Sequence, residues 1–283
     1  MGTSKTRSLA ALLTVHNRRE KTLECLTCLY AQVLPDDVHL DVYMVDDGCT
    51  DGTAQAVKKL YPQVNIITGD GNLFWNRGMW TAWDTAAKKN EYDFYLWLND
   101  DTFLLENAVI QLLELSIANE DEAISVGATK VSKSDKLTYG GHTPNNGPIC
   151  DGQSHEITFF NGNIVLVPRN VFAVLGNLDY YYRHSGGDYD YALRAQKAGI
   201  KMYQCGNVLG ICDEHEHIDT WCNPAVPFCK RLKAMHQPTG MHPREWFHYE
   251  KQINVVKAMI HVMTLYLRCA FPTIWEKRKV NNQ

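Results

Sequence analysis

Five apolar residues in a row, Phe94-Tyr95-Leu96-Trp97-Leu98, run straight into Asn99-Asp100-Asp101-Thr102, and few folds accommodate that. The run is short and has no helical period, so it reads as a strand buried on both faces. Such a strand needs cover above and below its sheet. Its abrupt polar end places three oxygen-bearing side chains at the carboxyl edge, where open α/β sheets bind ligands. Hard oxygens suit Mg²⁺ or Mn²⁺, ions that typically join protein carboxylates to phosphates. The same residues also suit a plain strand end with a cap for the helix near Glu106.

The flanking pattern supports the covered sheet. Leu9 to Val15, Val38 to Val45 and Val64 to Thr68 read as strands. Helical periods run over Glu20 to Val33, Gly52 to Leu60, Asn76 to Lys89 and Glu106 to Ala118. This alternation predicts an α/β fold with a mostly parallel central sheet and helices on both faces. Beyond it, Val126 to Lys130, Ile157 to Phe160 and Ile164 to Val167 read as strands, as do the short runs Lys201 to Cys205 and Val208 to Cys212. Thr138 to Gln153 is rich in Gly, Pro and Asn and reads as a loop excursion. Arg169 to Leu175 is helical, and Gly186-Gly187-Asp188 opens a helix that Gly199 stops.

Composition removes several classes. With 45% hydrophobic and 21% charged residues over 283 positions, the chain can bury a large core. A net charge of −4 argues against nucleic acid as a partner. Nine scattered cysteines, an odd number, fit free thiols in a reducing compartment. Met1 to Arg7 is polar and lacks an apolar signal core, so the expected location is cytoplasmic. Cys25-x-x-Cys28 falls within a helical pattern, away from the strand edge that a redox motif needs. Cys205, Cys212, His215, His217 and Cys222 carry enough nitrogen and sulfur for zinc, but their spacings match no compact zinc motif.

Four polar clusters fall at strand ends. They are Thr14, His16, Asn17 and Arg18; Asp46 through Thr53; Gly69 through Gly78, containing Asn72, Trp75, Asn76 and Arg77; and Asn99-Asp100-Asp101. Each alone is ordinary turn chemistry. Together, on one sheet edge, they converge on a single crevice. Asp46 or Asp47 can accept from a pyrimidine N–H or a ribose hydroxyl. Arg18 and Arg77 match phosphate geometry. Trp75, Trp80 and Trp83 are either stacking rings or core.

The segment Val45-Asp46-Asp47-Gly48-Cys49-Thr50-Asp51-Gly52-Thr53 resembles the nucleotide-binding signature of family-2 glycosyltransferases. Asn99-Asp100-Asp101 resembles their D-x-D motif, and Gly187-Asp188-Tyr189-Asp190-Tyr191 with Arg194 resembles their later acidic motif. Gly71-Asn72-Leu73-Phe74-Trp75-Asn76-Arg77-Gly78 further resembles the rhamnosyltransferase-like branch. The motifs follow the family's order over roughly residues 8 to 215. The resemblance implies the GT-A nucleotide-diphospho-sugar transferase fold and inverting transfer from a UDP- or dTDP-linked sugar to a saccharide or lipid-linked acceptor hydroxyl. It implies donor contacts from Thr14, His16, Asn17, Arg18, Asp46, Asp47, Asn72, Trp75, Asn76, Arg77, Asn99 and Asp100. Asp101 is the implied main ligand of Mg²⁺ or Mn²⁺. Asp188 is the implied base, with Asn161, His184 and Asp190 on the acceptor side. Asn99 departs from the family by bringing a carbonyl without a charge. The resemblance also implies a His ligand near Cys212, Asp213, His215 and His217, with His215 the expected one.

Two other readings compete on the residues. A nucleotidyltransferase needs a Gly-rich triphosphate loop after the first strand, and His16-Asn17-Arg18-Arg19 has no glycine. A non-catalytic nucleotide-sugar-binding module is favoured only by Asn99. The expected division is a catalytic domain over 1–237 and an amphipathic helical tail over 238–283. In that tail Ile253, Val256, Ile260, Met263, Leu267 and Phe271 share one helical face, opposite Lys251, Lys257 and Arg268. A basic amphipathic helix either docks on its own domain or lies peripherally on an anionic membrane.

Overall fold

The computed structural model describes residues 6–213 and 219–273. Along the chain run β1 (Arg7–Val15), α1 (Arg19–Tyr30), β2 (Val38–Asp46), α2 (Thr53–Leu60), β3 (Asn65–Thr68), α3 (Phe74–Lys89), β4 (Phe94–Leu98), β5 (Phe103–Leu104), α4 (Ala108–Ala118) and β6 (Ile124–Lys130). Then follow β7 (Gly141–His142), β8 (His155–Glu156), β9 (Phe159–Phe160), β10 (Ile164–Pro168), α5 (Arg169–Leu175), α6 (Gly187–Lys197), β11 (Met202–Ile211), α7 (Phe228–Met235), α8 (Pro243–Glu250) and α9 (Val255–Ala270).

The main sheet has the order β3-β2-β1-β4-β10-β6-β11-β5, with β8 also pairing β11. β3, β2, β1 and β4 are mutually parallel, as are β6 and β11, while β10 runs antiparallel between β4 and β6. Alternate side chains feed two cores. Leu9, Ala11, Leu13, Leu96 and Leu98 pack with α1, α2 and α4 residues on one face. Ala10, Leu12, Tyr95 and Trp97 pack with α3, α5 and α6 residues on the other. All five residues of β4 are buried, which is why that strand shows no polar alternation.

Two strand expectations are corrected. Ile157 to Phe160 is not one strand: Ile157 N–H donates to Met202 on β11, and Thr158 N–H donates to His142 on β7, so the chain changes partner within two residues. Lys201 to Cys205 and Val208 to Cys212 are not two strands. They merge into β11, whose register against β6 shifts between Gln204 and Val208 and again before Gly210.

Two compact units emerge: Met1–Tyr180 with Gly187–Glu214, and Tyr181–Gly186 with His215–Gln283. The second unit thus also takes in described residues that precede 238. The reason is a separate core in which Trp221, Cys222 and Met235 pack with Leu265 and Cys269. Buried Arg231 secures it by donating to the carbonyls of Cys269 (2.7 Å) and Ala270 (3.1 Å).

Candidate active site at the carboxyl edge

The first two loops are stapled by the residues between β1 and α1. Asn17, in the left-handed region (φ 51°), accepts from Thr50 N–H through Oδ1 at 2.7 Å. His16 Nδ1 lies 2.6 Å from the carbonyl of Asp47. Thr14 sits under α3, where a Cβ on Gly78 would come within 2.1 Å of its hydroxyl.

Asp47 organises the third loop. It is 3% exposed, and its carboxylate accepts from the N–H groups of Gly71 (2.8 Å), Leu73 (3.0 Å) and Phe74 (2.9 Å). The last two open α3, so the anion sits at a helix N-terminus. Gly48 (φ 70°) and Gly71 (φ 84°) let these loops touch: a Cβ on Gly48 would lie 2.8 Å from the Gly71 Cα. Asp46 accepts from Cys49 N–H through Oδ1 (2.9 Å).

Within the third loop the expected donor residues separate. Exposed Asn72 closes an Asx turn on Asp70. Trp75 donates its indole N–H to Asn99 Oδ1 at 2.7 Å, and its ring lies against Gly162. Asn76 is fully buried, donates to the carbonyl of Asp179 (2.8 Å) and abuts Gly187 at the start of α6. Arg77 donates to the carbonyl of Tyr180 (3.0 Å) and stacks on that ring at 4.8 Å. Trp83 is core, stacked on Phe172, and Trp80 meets Tyr180 edge-on.

Asp100 and Asp101 are both nearly buried and converge on one cation. Arg18 Nη1 lies 3.2 Å from Asp100 Oδ1 and 2.7 Å from Asp101 Oδ2. Burial pushes the Asp100 carboxyl up to about 6 despite Arg18, and neighbouring Asp101 adds to the rise. Thr22 Oγ1 is 3.4 Å from the second Asp100 oxygen. The guanidinium shows that two carboxylates aim at a point where positive charge is held. A divalent ion suits that donor set, with partly exposed Arg18 free to turn toward phosphate. Among the described residues no preformed cluster of three His, Cys, Asp or Glu exists. Of the residues near the family's His position, Cys212 Sγ lies 4.0 Å from Asp101 Oδ1, whereas Asp213 turns to Ser132, accepting its N–H at 2.7 Å. His215 and His217 lie outside the described residues.

Asp188, in the first turn of α6, accepts from Gly162 N–H (3.2 Å) and Tyr189 N–H (2.9 Å). Burial raises its carboxyl to about 6, against those two donors. Helix-end stabilisation of the anion therefore loses to desolvation. Asp190 is 1% exposed and bound to Arg194 at 2.8 Å, which also holds the carbonyls of Leu175 and Asn177. Asn161 Oδ1 lies 2.9 Å from His142 Nε2, tying the excursion to β9. His184 belongs to the other compact unit.

Asn163 was missed. Its carbonyl accepts from Asn99 N–H (3.2 Å), and its amide lies 3.3 Å from Thr102 Oγ1 and 3.5 Å from Cys212 Sγ. Nothing local marks it. It reaches the edge because β10 runs antiparallel beside β4, so the start of one strand meets the end of the other.

The sheet with its polar strand-end loops has the GT-A glycosyltransferase fold, as its likeness to solved glycosyltransferase structures shows. Residues 11–177 match the family described as glycosyl transferase family 2, and the chain belongs to that family. Among solved structures, the Pyrobaculum calidifontis mannosyltransferase PcManGT, in complex with GDP-Man and Mn²⁺, is 16% identical (TM-score 0.55; 97% of this chain, 89% of that one). S. aureus TarS 1–349 in complex with UDP-GlcNAc is 13% identical (TM-score 0.55; 94% and 73%). GalNAc-T7 with UDP, GalNAc and Mn²⁺ is 12% identical (TM-score 0.58; 74% and 44%). The chain thus spans under half of the GalNAc-T7 chain. At these identities the likeness concerns the fold. No curated protein matches the chain.

Proposed function

We propose that this protein is an inverting, metal-dependent glycosyltransferase that moves a hexosyl or deoxyhexosyl group from a UDP- or dTDP-linked donor to a saccharide or lipid-linked hydroxyl. The resemblance of Gly71–Gly78 to the rhamnosyltransferase-like branch supports a UDP- or dTDP-linked donor. The observation that carries the proposal is a continuous tie between the two halves of the site. Trp75 bonds Asn99 beside the Asp100–Asp101 pair and packs on Gly162, whose N–H holds Asp188.

Each residue then has a task. Asp46 accepts from the nucleobase or ribose, because the Asp47 carboxylate is already taken by three loop N–H groups. Asp100 would face the ribose and Asp101 would hold Mg²⁺ or Mn²⁺; the expected second ligand, His215, lies outside the described residues. That ion, when bound, neutralises the charge developing on the leaving diphosphate. Arg18, released from Asp101, pairs with the same phosphates. Asp188 takes the acceptor proton as the glycosidic bond forms. Its two backbone donors fix the carboxylate and leave oxygen lone pairs for the hydroxyl. With a carboxyl near 6 it is ionised at neutral pH yet a stronger base than an exposed aspartate. Asp190, locked to Arg194, holds α6 in place and serves as a positioning residue.

The test is a thermal-shift and hydrolysis panel of UDP-, dTDP- and GDP-sugars, with and without Mn²⁺. One donor should raise the melting temperature only with metal and be slowly hydrolysed by the wild type but not by Asp188→Asn. Stabilisation without hydrolysis or transfer would leave a binding module. No stabilisation by any nucleotide sugar would end the proposal.

A further inference from the structure

The apolar stripe of α9 faces outward. Val256 (61%), Ile260 (55%) and Met263 (65%) are exposed, as are Ile253, Met259, Leu267 and Phe271, whereas the helix packs inward through the smaller set Ala258, Leu265 and Cys269. A helix normally turns its larger hydrocarbons to the core, and a contiguous exposed apolar face marks an interaction surface. Beside the stripe, α8 and α9 enclose a groove of about 540 Å³ lined by Phe247, Met259, Met263 and Tyr266, with Arg244 and Lys251 at its rim.

Charge identifies the occupant. Residues 228–273 carry seven Lys and Arg against two Glu, in a chain whose net charge is −4. Both acids are already engaged: Glu245 is buried on Arg183 at 2.6 Å, and Glu250 pairs with His261. Lys230, Lys233, Arg244, Lys251 and Lys257 are exposed. A second copy would bring like charges together across such a face. An anionic lipid surface supplies what it lacks, hydrocarbon for the stripe and phosphate for the cations. At 16 residues α9 is about 24 Å long, and no described helix is long and apolar enough to cross a membrane. We infer that α9 lies in the plane of an anionic bilayer, its stripe among the acyl chains and the basic groove rim at the headgroups.

The test is co-sedimentation of the full chain with phosphatidylcholine vesicles, with and without about one-third phosphatidylglycerol. The protein should pellet with anionic vesicles and be released by salt. Ile260→Glu with Met263→Glu should weaken partitioning by about tenfold or more, and Lys251→Ala with Lys257→Ala by about fivefold per lysine. Circular-dichroism melting checks that each variant folds, and the lysine pair decides the matter should the glutamates unfold the chain. The inference is overturned by a wild type that stays in the supernatant, by equal binding to neutral vesicles, or by binding that both variants retain. A salt-resistant oligomer dispersed by the glutamate pair would show instead that a second copy covers the stripe.

Discussion

At the carboxyl edge of the sheet, Asp47, Asp100, Asp101 and Asp190 are carboxylates under cover; along α9, Val256, Ile260 and Met263 are hydrocarbons in the open. Both arrangements cost free energy in an isolated domain. They differ in how the cost is met. Asp47 is matched by three backbone donors and Asp190 by Arg194, so those two are settled parts of the fold. Asp100 and Asp188 are not fully matched, and burial lifts each to about 6. Charge held short of full compensation is available to a substrate. The α9 stripe is the apolar counterpart, left uncovered among the described residues.

The largest expected effect breaks the polar side of this contrast. Asp188→Asn should lower turnover by about 10³-fold with donor affinity nearly unchanged. Wild-type turnover should fall on the acid side through pH 6 as Asp188 protonates. Stability should move the other way. The folded carboxyl titrates near 6, above its ordinary 3.8. Its stabilising contribution is complete below 3.8 and is lost as pH rises through 6. At pH 7.5 the Asn variant should therefore melt about 2–4 °C above wild type, with the gap closing near pH 4. A variant less stable at pH 7.5 would mean that the carboxylate is structural.

Asp101→Ala comes next. Metal-dependent binding of nucleoside diphosphate, read by calorimetry with and without Mn²⁺, should weaken by about 10²-fold. Unchanged affinity would place the ion elsewhere. On the apolar side, Leu265→Ala should cost about 3 kcal/mol, because that side chain fills the small core with Trp221 and Met235. For the same reason, deleting residues 250–283 would strip that core rather than cleanly remove a membrane anchor.

Trp75→Phe tests the tie across the site. It removes one indole N–H donor and keeps a ring against Gly162, so denaturant melts should shift by about 1 kcal/mol while turnover falls by about tenfold. A stability loss with normal turnover would make Trp75 a packing residue only. The smallest effect is Ile260→Glu, which should change stability by less than about 0.5 kcal/mol in lipid-free buffer. A cost like that of Leu265→Ala would show that the stripe is covered by protein.

Read residue by residue, legibility followed locality. The βα alternation, the buried run Phe94–Leu98 and the four strand-end clusters are periodic or contiguous, and they were legible as a fold with polar loops at one sheet edge. So was the amphipathic period of α9. The contacts that divide labour within the site were not. Asp46 and Asp47 are neighbours in the chain, yet the approach of Gly48 to Gly71 gives Asp47 three loop donors while Asp46 accepts from Cys49 N–H. Asn76 and Arg77 read as ligand contacts, and only the fold shows that they also bond the distant carbonyls of Asp179 and Tyr180. Asn163 joined the edge through an antiparallel pairing no local pattern encodes.

The sequence by itself determined that this chain builds a sheet covered on both faces with acidic loops at one edge, because side-chain periodicity and strand-end polarity are properties of neighbours. Tertiary structure alone decided which carboxylates are satisfied and which are held short, and which side of α9 is core. Those outcomes depend on donors and apolar surfaces brought from distant segments, whose desolvation and hydrogen bonding act only once the chain has folded.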